Sequence, residues 1–293
     1  MTPTTPLKEQ LKGARENRDL VVAPGIFDMI SVKVADAVGF NALYMTGYGV
    51  TASYLGLPDA GITTYTDMVG RIQTTKAIST TPLIADGDTG YGGLLNVQHT
   101  VRGYEAAGAT AIQIEDQEFP KKCGHLLGRR VIPLEDMVAK IKVAVESRDS
   151  SDFLIIARTD ARTGLGLDEA LRRADAFAEA GADVLFVESP ESIEEMEIIG
   201  KRFDQPLLAN MVEGGRTPVL DKKTLVEVGY SIAIFPALGF LAMGEALRAA
   251  FTQLKDKGSS DTIDVPLYPF KDFSALMGFD EVTAFDEKYR DSA

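Results

Sequence analysis

The chain contains one cysteine and two histidines, and it sets Cys123 and His125 two residues apart in Lys121-Lys122-Cys123-Gly124-His125. A thiol beside two lysines titrates below the ordinary thiol range, because nearby positive charge favours the thiolate. Such a group can serve as a nucleophile or as a proton donor, and Gly124 frees the backbone where a side chain would meet a substrate. A solvated basic loop with an incidental cysteine is the plain alternative. A second cluster is acidic: Asp86-Gly87-Asp88-Thr89-Gly90-Tyr91-Gly92-Gly93, then Glu115-Asp116, with Asp59 in Leu57-Pro58-Asp59-Ala60-Gly61. Hard oxygen ligands of this kind suit Mg2+, leaving further positions to water and substrate oxygens; a simple Asp/Gly turn is the competing reading. Asp88-Thr89-Gly90 also occurs in aspartic proteases, but those are all-β proteins that need two such carboxylates. Gly47-Tyr48-Gly49 lacks the third glycine and the acidic residue of a dinucleotide site, and reads instead as a tight anion-binding loop.

These residues need a scaffold, and the pattern around them supplies one. Short apolar, β-rich runs recur near residues 20–23, 42–45, 83–85, 111–114, 153–157, 184–187, 207–209 and 232–235. Helical patterns fall between them, among them 98–107, 134–146, 167–180 and 222–228. Several end in a glycine suited to a helix C′ position, as in Ala-Val-Gly-Phe at 37–40, Ala-Ala-Gly-Ala at 106–109 and Glu-Ala-Gly-Ala at 179–182. Strands alternating with helices imply parallel pairing with the helices outside. Eight such units fit a (β/α)8 barrel better than an open doubly wound sheet, which makes 1–293 one domain. The stretch 264–293, with Pro266, Pro269 and several aromatics, is expected to be a packing or oligomerisation extension.

Active sites of such barrels lie at the C-terminal ends of the strands. Those ends read Thr46-Gly47, Asp86 with Asp88, Glu115-Asp116, Arg158, Glu188, Asn210 and Pro236. Any one of these could be a helix cap; together they describe a site. His99 falls in a helical pattern and is expected on the surface or in packing.

Composition limits the partners. The net charge of −13 opposes nucleic acid and anionic membrane, so an anionic small substrate would need local cations or a metal. Hydrophobic content of 45% and charged content of 25% suit a globular protein with a full core. A single cysteine cannot form an internal disulfide, which fits a reducing cytosol. Residues 1–12 lack the apolar core of a signal peptide, and no transmembrane run occurs, so a cytoplasmic location is expected.

Over about residues 20–250 the chain resembles the isocitrate lyase/phosphoenolpyruvate mutase superfamily. The resemblance is carried by Asp86-Gly87-Asp88-Thr89-Gly90-Tyr91-Gly92 and Lys121-Lys122-Cys123-Gly124-His125. Arg158-Thr159-Asp160-Ala161 and Asn210-Met211-Val212-Glu213-Gly214-Gly215-Arg216-Thr217-Pro218 support it. It implies a barrel that acts on 2-oxo or 2-hydroxy acids with Mg2+, Mn2+ being the alternative ion. It also implies a swapped last helix and a homotetramer built as a dimer of helix-swapped dimers. The cysteine motif is similar to that of the carbon–carbon lyases rather than the phosphoenolpyruvate mutases.

The roles the resemblance implies are these. Asp86, Asp88, Glu115 and Asp59 would hold the metal. Tyr44 would be the base, a core strand tyrosine being the alternative. Cys123 would protonate the carbanion, with Lys121 and His125 tuning it. Arg158 and Glu188 would stabilise charge and position the substrate. Thr46, Gly47 and Asn210 would hold a pyruvyl carboxylate, with Tyr48, Gly124 and Pro236 at the substrate. Apart from the resemblance, Gly124 and Gly128 flank the cysteine segment, which suits a loop that closes and excludes water.

One departure narrows the substrate. Methylisocitrate lyases similar to this chain carry an arginine soon after the eighth strand, which grips an additional carboxylate. Here residues 235–242 hold no cation, and Leu241 stands at the matching position. A buried carboxylate there would be unpaired and costly. A small alkyl-bearing malate such as 2,3-dimethylmalate, cleaved to pyruvate and a carboxylic acid, is therefore expected. Oxaloacetate hydrolysis, carboxyphosphonoenolpyruvate phosphonomutase activity and methylisocitrate cleavage are the alternatives.

Overall fold

The computed structural model describes residues 5–122, 124 and 128–290; Cys123 and His125 lie outside the described residues. Eight parallel strands, β1 (Val21–Ile26), β2 (Leu43–Met45), β3 (Leu83–Asp86), β4 (Ala111–Glu115), β5 (Leu154–Thr159), β6 (Val184–Val187), β7 (Leu208–Asn210) and β8 (Ile232–Phe235), run in the order β6-β5-β4-β3-β2-β1-β8-β7. A single parallel bridge, Leu185 with Leu207, joins β6 to β7 and brings the sheet round into a nearly closed (β/α)8 barrel. Helices lie outside, and Gly39, Gly108 and Gly181 follow three of them with φ of 91°, 98° and 99°, as expected of C′ glycines.

Strand residues alternate between two cores. One side of each strand meets the helices: Leu43, Met45, Leu83, Ala85, Ile112, Ile114 and Ile155 belong to that outer core. The other side fills the barrel: Val21, Ala23, Tyr44, Ile84, Ala111, Leu154, Ile156, Phe186, Leu208 and Ile234 pack there. Leu7, Leu11 and Ala14 of the helix Leu7–Asn17 join this inner cluster.

The strand ends differ from the sequence expectation in one consistent way. β1, β3, β4, β5 and β7 run one to three residues further, so Asp86, Glu115, Arg158 and Asn210 sit on strands rather than in loops. An apolar run marks only where the core is dry. In β3, β4, β5 and β7 the ladder continues past it because the inward side chains at that level are polar and pair with one another. Gly47-Tyr48-Gly49, expected as a loop, instead opens the helix Gly47–Leu55, with Thr46 as N-cap. The Thr46 hydroxyl, by accepting from Gly49 N, supplies the start signal that glycine spacing alone concealed.

Beyond β8 the chain forms the helices Leu238–Lys257, Phe270–Leu276 and Phe279–Arg290, and none of the three buries a residue. No helix among the described residues is long and apolar enough to cross a membrane.

Candidate active site

Inward parity places Tyr44, Asp86, Gln113, Glu115, Arg158, Glu188 and Asn210 at the C-terminal mouth of the barrel. Register pairs Asp86 with Gln113 and Glu115 with Arg158. A cavity of about 240 Å³ opens there, smaller than the ~300 Å³ at which pockets for drug-sized ligands begin. Polar side chains in its lining are Tyr44, Thr46, Asp59, Asp86, Glu115, Lys121, Lys122, Arg158, Asn210 and Glu213. Apolar ones are Val212, Ile234, Pro236, Ala237, Phe240 and Leu241, with the Tyr48 ring. Phe240 is held by ring contacts with Tyr48 and Phe27.

Arg158 is the cation of the floor. Its Nε and Nη2 donate to the two oxygens of Asp160, both at 2.9 Å, and Nη1 lies 3.3 Å from Glu115 Oε2. Arg129 Nη1 also donates to Asp160 Oδ1, the oxygen that receives Arg158 Nη2. Burial opposes every charge here. In Asp160, though, the two guanidiniums outweigh it and hold the carboxyl below its usual range. Arg158 is driven the other way, held firmly protonated by Asp160, Glu115 and Glu188 against the same burial. Glu188 accepts from Asn210 Nδ2 at 3.2 Å and from Ser189 Oγ at 3.2 Å. Gly124 passes so close to Arg158 and Glu188 that a Cβ would stand 2.3 Å from Arg158 Nη2 and 2.6 Å from Glu188 Oε1, so a larger residue would force both groups to shift. Ser189 Oγ also contacts Gly124 O at 3.0 Å.

The acidic side is organised by Lys121. Its ammonium lies 2.5 Å from Asp59 and 2.6 Å from Asp88, buried with both. Burial lowers a lysine's affinity for its proton, but Asp88, Glu115 and Asp59 reverse that and keep Lys121 charged. For Asp88 burial wins over Lys121, and its carboxyl is pushed up to about 6. Burial raises Glu115 well above the carboxylate range even with Arg158 beside it. Asp86 accepts from Gly47 N at 3.2 Å and from Asp88 N at 3.0 Å. A Cβ at residue 47 would lie 2.6 Å from Asp86 Oδ2, which explains a glycine there. Tyr44 donates to Gln113 Oε1 at 2.8 Å, and burial, then Asp86, raises its phenol well above the ordinary range, so it is a neutral hydroxyl.

Asp59, Asp86 and Glu115 thus line one cavity, and Asp88 adjoins it through Lys121. Even so, no group of three or more His, Cys, Asp or Glu among the described residues is gathered tightly enough to hold a metal as it stands. Lys121 takes up the charge of Asp59 and Asp88. The donor set nevertheless suits a hard divalent cation. Glu115 Oε1 is buried with no hydrogen-bond partner, and burial, with neighbouring carboxylates adding to it, raises the carboxyls of Asp88 and Glu115, a cost that a bound cation would relieve.

Thr46, Tyr48, Gly124, Asn210 and Pro236 line the cavity, and Gly47 adjoins it through its bond to Asp86. Asp116, which follows Glu115, faces away from the cavity and is tied to Thr159, Asp160 N and Arg173. His99 packs on the Tyr65 ring. Gln113, Asp160 and Arg129 were missed. Strand parity could have found Gln113, since residues 111, 113 and 115 share a face; nothing in local spacing points to Arg129.

The comparisons with known proteins agree with this geometry. The family described as phosphoenolpyruvate phosphomutase matches residues 11–255. The chain belongs to the PEP mutase/isocitrate lyase superfamily. It is 47% identical over 272 residues to the 2,3-dimethylmalate lyase of Eubacterium barkeri, covering 93% of this chain and 94% of that one. It is 44% identical over 264 residues to a 2-methylisocitrate lyase of Aeropyrum pernix, covering 90% and 85%. Among solved structures, oxaloacetate acetylhydrolase bound to 3,3-difluorooxalacetate superposes with a TM-score of 0.90 at 34% identity, covering 98% of this chain and 97% of that one. A phosphonopyruvate hydrolase complexed with oxalate and Mg2+ superposes with a TM-score of 0.85 at 30% identity, covering 96% and 98%. The chain is an enzyme, and its relatives place it among the carbon–carbon lyases.

Proposed function

We propose that this superfamily member cleaves a small alkyl-substituted malate, of which 2,3-dimethylmalate is the type, to pyruvate and a carboxylic acid. The observation that carries the reading is the mixed lining of the cavity: Phe240, Leu241, Val212 and Ile234 line it beside Arg158 and the acidic set, and an apolar leucine stands at position 241. An alkyl group fits that wall, whereas a third carboxylate would lie against it unpaired. The 47% identity to a 2,3-dimethylmalate lyase points the same way.

Asp86 and Glu115, with Asp88 and Asp59 behind Lys121, are the residues that would hold a divalent ion, Mg2+ by preference. Such an ion, when bound, polarises the carboxylate and hydroxyl of a 2-hydroxy acid. The chain's own groups do the rest. Thr46 and the helix N-terminus at Gly47 receive the substrate carboxylate together with Asn210, whose amide Glu188 orients, and Arg158 balances developing negative charge. Cys123, whose neighbours Lys122 and Gly124 line the cavity, is the proposed donor of a proton to the carbanion. We also propose a homo-oligomer, a helix-swapped tetramer being the expected form. Leu247, Phe251 and Leu254 on the unburied helix Leu238–Lys257 are exposed and suit a second copy of the chain.

The test is incubation with Mg2+ and a panel of 2-alkylmalates, oxaloacetate and methylisocitrate, with pyruvate and oxalate measured. Pyruvate from 2,3-dimethylmalate is expected. Efficient pyruvate release from methylisocitrate, the reading favoured by the Aeropyrum relative, would overturn the argument from the apolar wall. Oxalate from oxaloacetate would make the enzyme a hydrolase.

A further inference from the structure

Gln113 is a neutral amide, fully buried, in a site otherwise built from charges. It sits on β4 two residues before Glu115 and pairs in register with Asp86. Its Nε2 faces Asp86 Oδ1 at 3.4 Å, and its Oε1 faces the Tyr44 hydroxyl at 2.8 Å. Asp86 already receives two backbone amides, from Gly47 and Asp88, and a carboxylate only accepts. The amide must therefore turn its NH2 to Asp86 and its carbonyl to Tyr44. A carbonyl cannot donate, so the single proton of Tyr44 is committed to Gln113. What remains of the Tyr44 oxygen, toward the cavity it lines, is lone pairs.

We propose that Gln113 is a positioning residue that fixes the polarity of Tyr44, so that Tyr44 meets the substrate as a hydrogen-bond acceptor and the site favours acids with a hydroxyl at C2 over their 2-oxo counterparts. This rests on the malate-lyase reading and deepens it. A 2-hydroxy acid offers a donor where Tyr44 has only lone pairs. A keto oxygen at the same place sets lone pairs against lone pairs. The chain Asp86–Gln113–Tyr44 thus carries the orientation of one carboxylate on β3, through an amide on β4, to a hydroxyl on β2.

Lactate and pyruvate form a matched pair that differs only at C2, and calorimetric titration of both with Mg2+ present gives the ratio of their affinities. In Gln113→Leu the Tyr44 proton is released and can serve pyruvate, so the ratio should move toward pyruvate by about tenfold, the worth of one buried hydrogen bond. Gln113→Glu still presents an acceptor to Tyr44, whether its other oxygen is charged or shares a proton with Asp86. It should keep the wild-type ratio even where both affinities fall. If Gln113→Leu weakens both acids equally, its role is structural and the proposal is overturned. Should that variant not fold, Tyr44→Phe must abolish the preference, and a preference retained there also overturns it. A wild-type enzyme that binds neither acid fails the malate-lyase reading itself, whereas one that binds both with an unmoved ratio in Gln113→Leu fails only the inference about Gln113.

Discussion

Asp160→Asn tests whether the floor of the site works as a unit. Asp160 accepts two charge-assisted bonds from Arg158 at 2.9 Å and a further contact from Arg129, all buried. Asparagine keeps the shape and one acceptor oxygen but removes the charge, leaving two buried guanidiniums short of an anion. Breaking a buried pair from one side costs about 3–5 kcal/mol. The retained acceptor brings the expectation to the lower end, about 3 kcal/mol. For a chain of this size that is a fall of roughly 6–10 °C in melting temperature. The same loss unlocks the Arg158 fork. One charge-assisted bond is worth about 1.5–3 kcal/mol, so kcat/KM for the malate substrate should drop about 10- to 150-fold. The sign with pH is fixed as well. Asp160 has a lowered pKa in the folded state, so its contribution is present above the ordinary carboxylate range and is lost as pH falls through its folded value. The gap in stability between wild type and variant, measured by calorimetry, should be full at neutral pH and close in acid. A variant within about 1 kcal/mol of wild type and within threefold in activity would refute the reasoning, because Arg158 would then be held by Glu115 and Glu188 alone.

Gly124→Ala should lower turnover about 100-fold, because its Cβ would collide with Arg158 Nη2 and Glu188 Oε1 and displace groups that position substrate; steady-state kinetics reads this. Leu241→Arg puts a cation into the apolar wall and should shift the ratio of kcat/KM from 2,3-dimethylmalate toward methylisocitrate by at least about tenfold. In metal-free protein the Asp88 carboxyl, raised to about 6, is ionised above that pH and protonated below it. Glu115 is raised as well, so titration calorimetry should find Mg2+ binding at least about tenfold weaker for each pH unit below 6, with the affinity still climbing above it as Glu115 ionises.

The barrel was legible because its eight units repeat a physical pattern: a dry strand, a polar end and an amphipathic helix closed by glycine. The same pattern gave Asp86, Glu115, Arg158, Glu188 and Asn210, each the first polar side chain after an apolar run. Gln113 escaped because it lies inside such a run, where its parity with Glu115 and not its neighbours reveals its direction. Asp160 was seen as part of a motif but not as the anion beneath Arg158, and Arg129 reaches it across 31 residues. In the sequence Lys121 is a neighbour of the thiol; its pairing with Asp59, 62 residues away, is a tertiary fact. The helix at Gly47 was hidden because glycine favours loops, and its cap is one hydroxyl.

The join between β6 and β7 rests on one backbone bridge, while the neighbouring pairs share several. Glu188 follows one side of that seam and Asn210 ends the other, and their side chains bond across it. The weakest stitch in the wall is therefore tied at the top by the residues that would grip the substrate. Amides along β6 and β7 should be the first of the barrel to exchange with deuterium, and a ligand seated on Glu188 and Asn210 should slow them most. Occupancy of the mouth and the unzipping of the wall then become a single equilibrium.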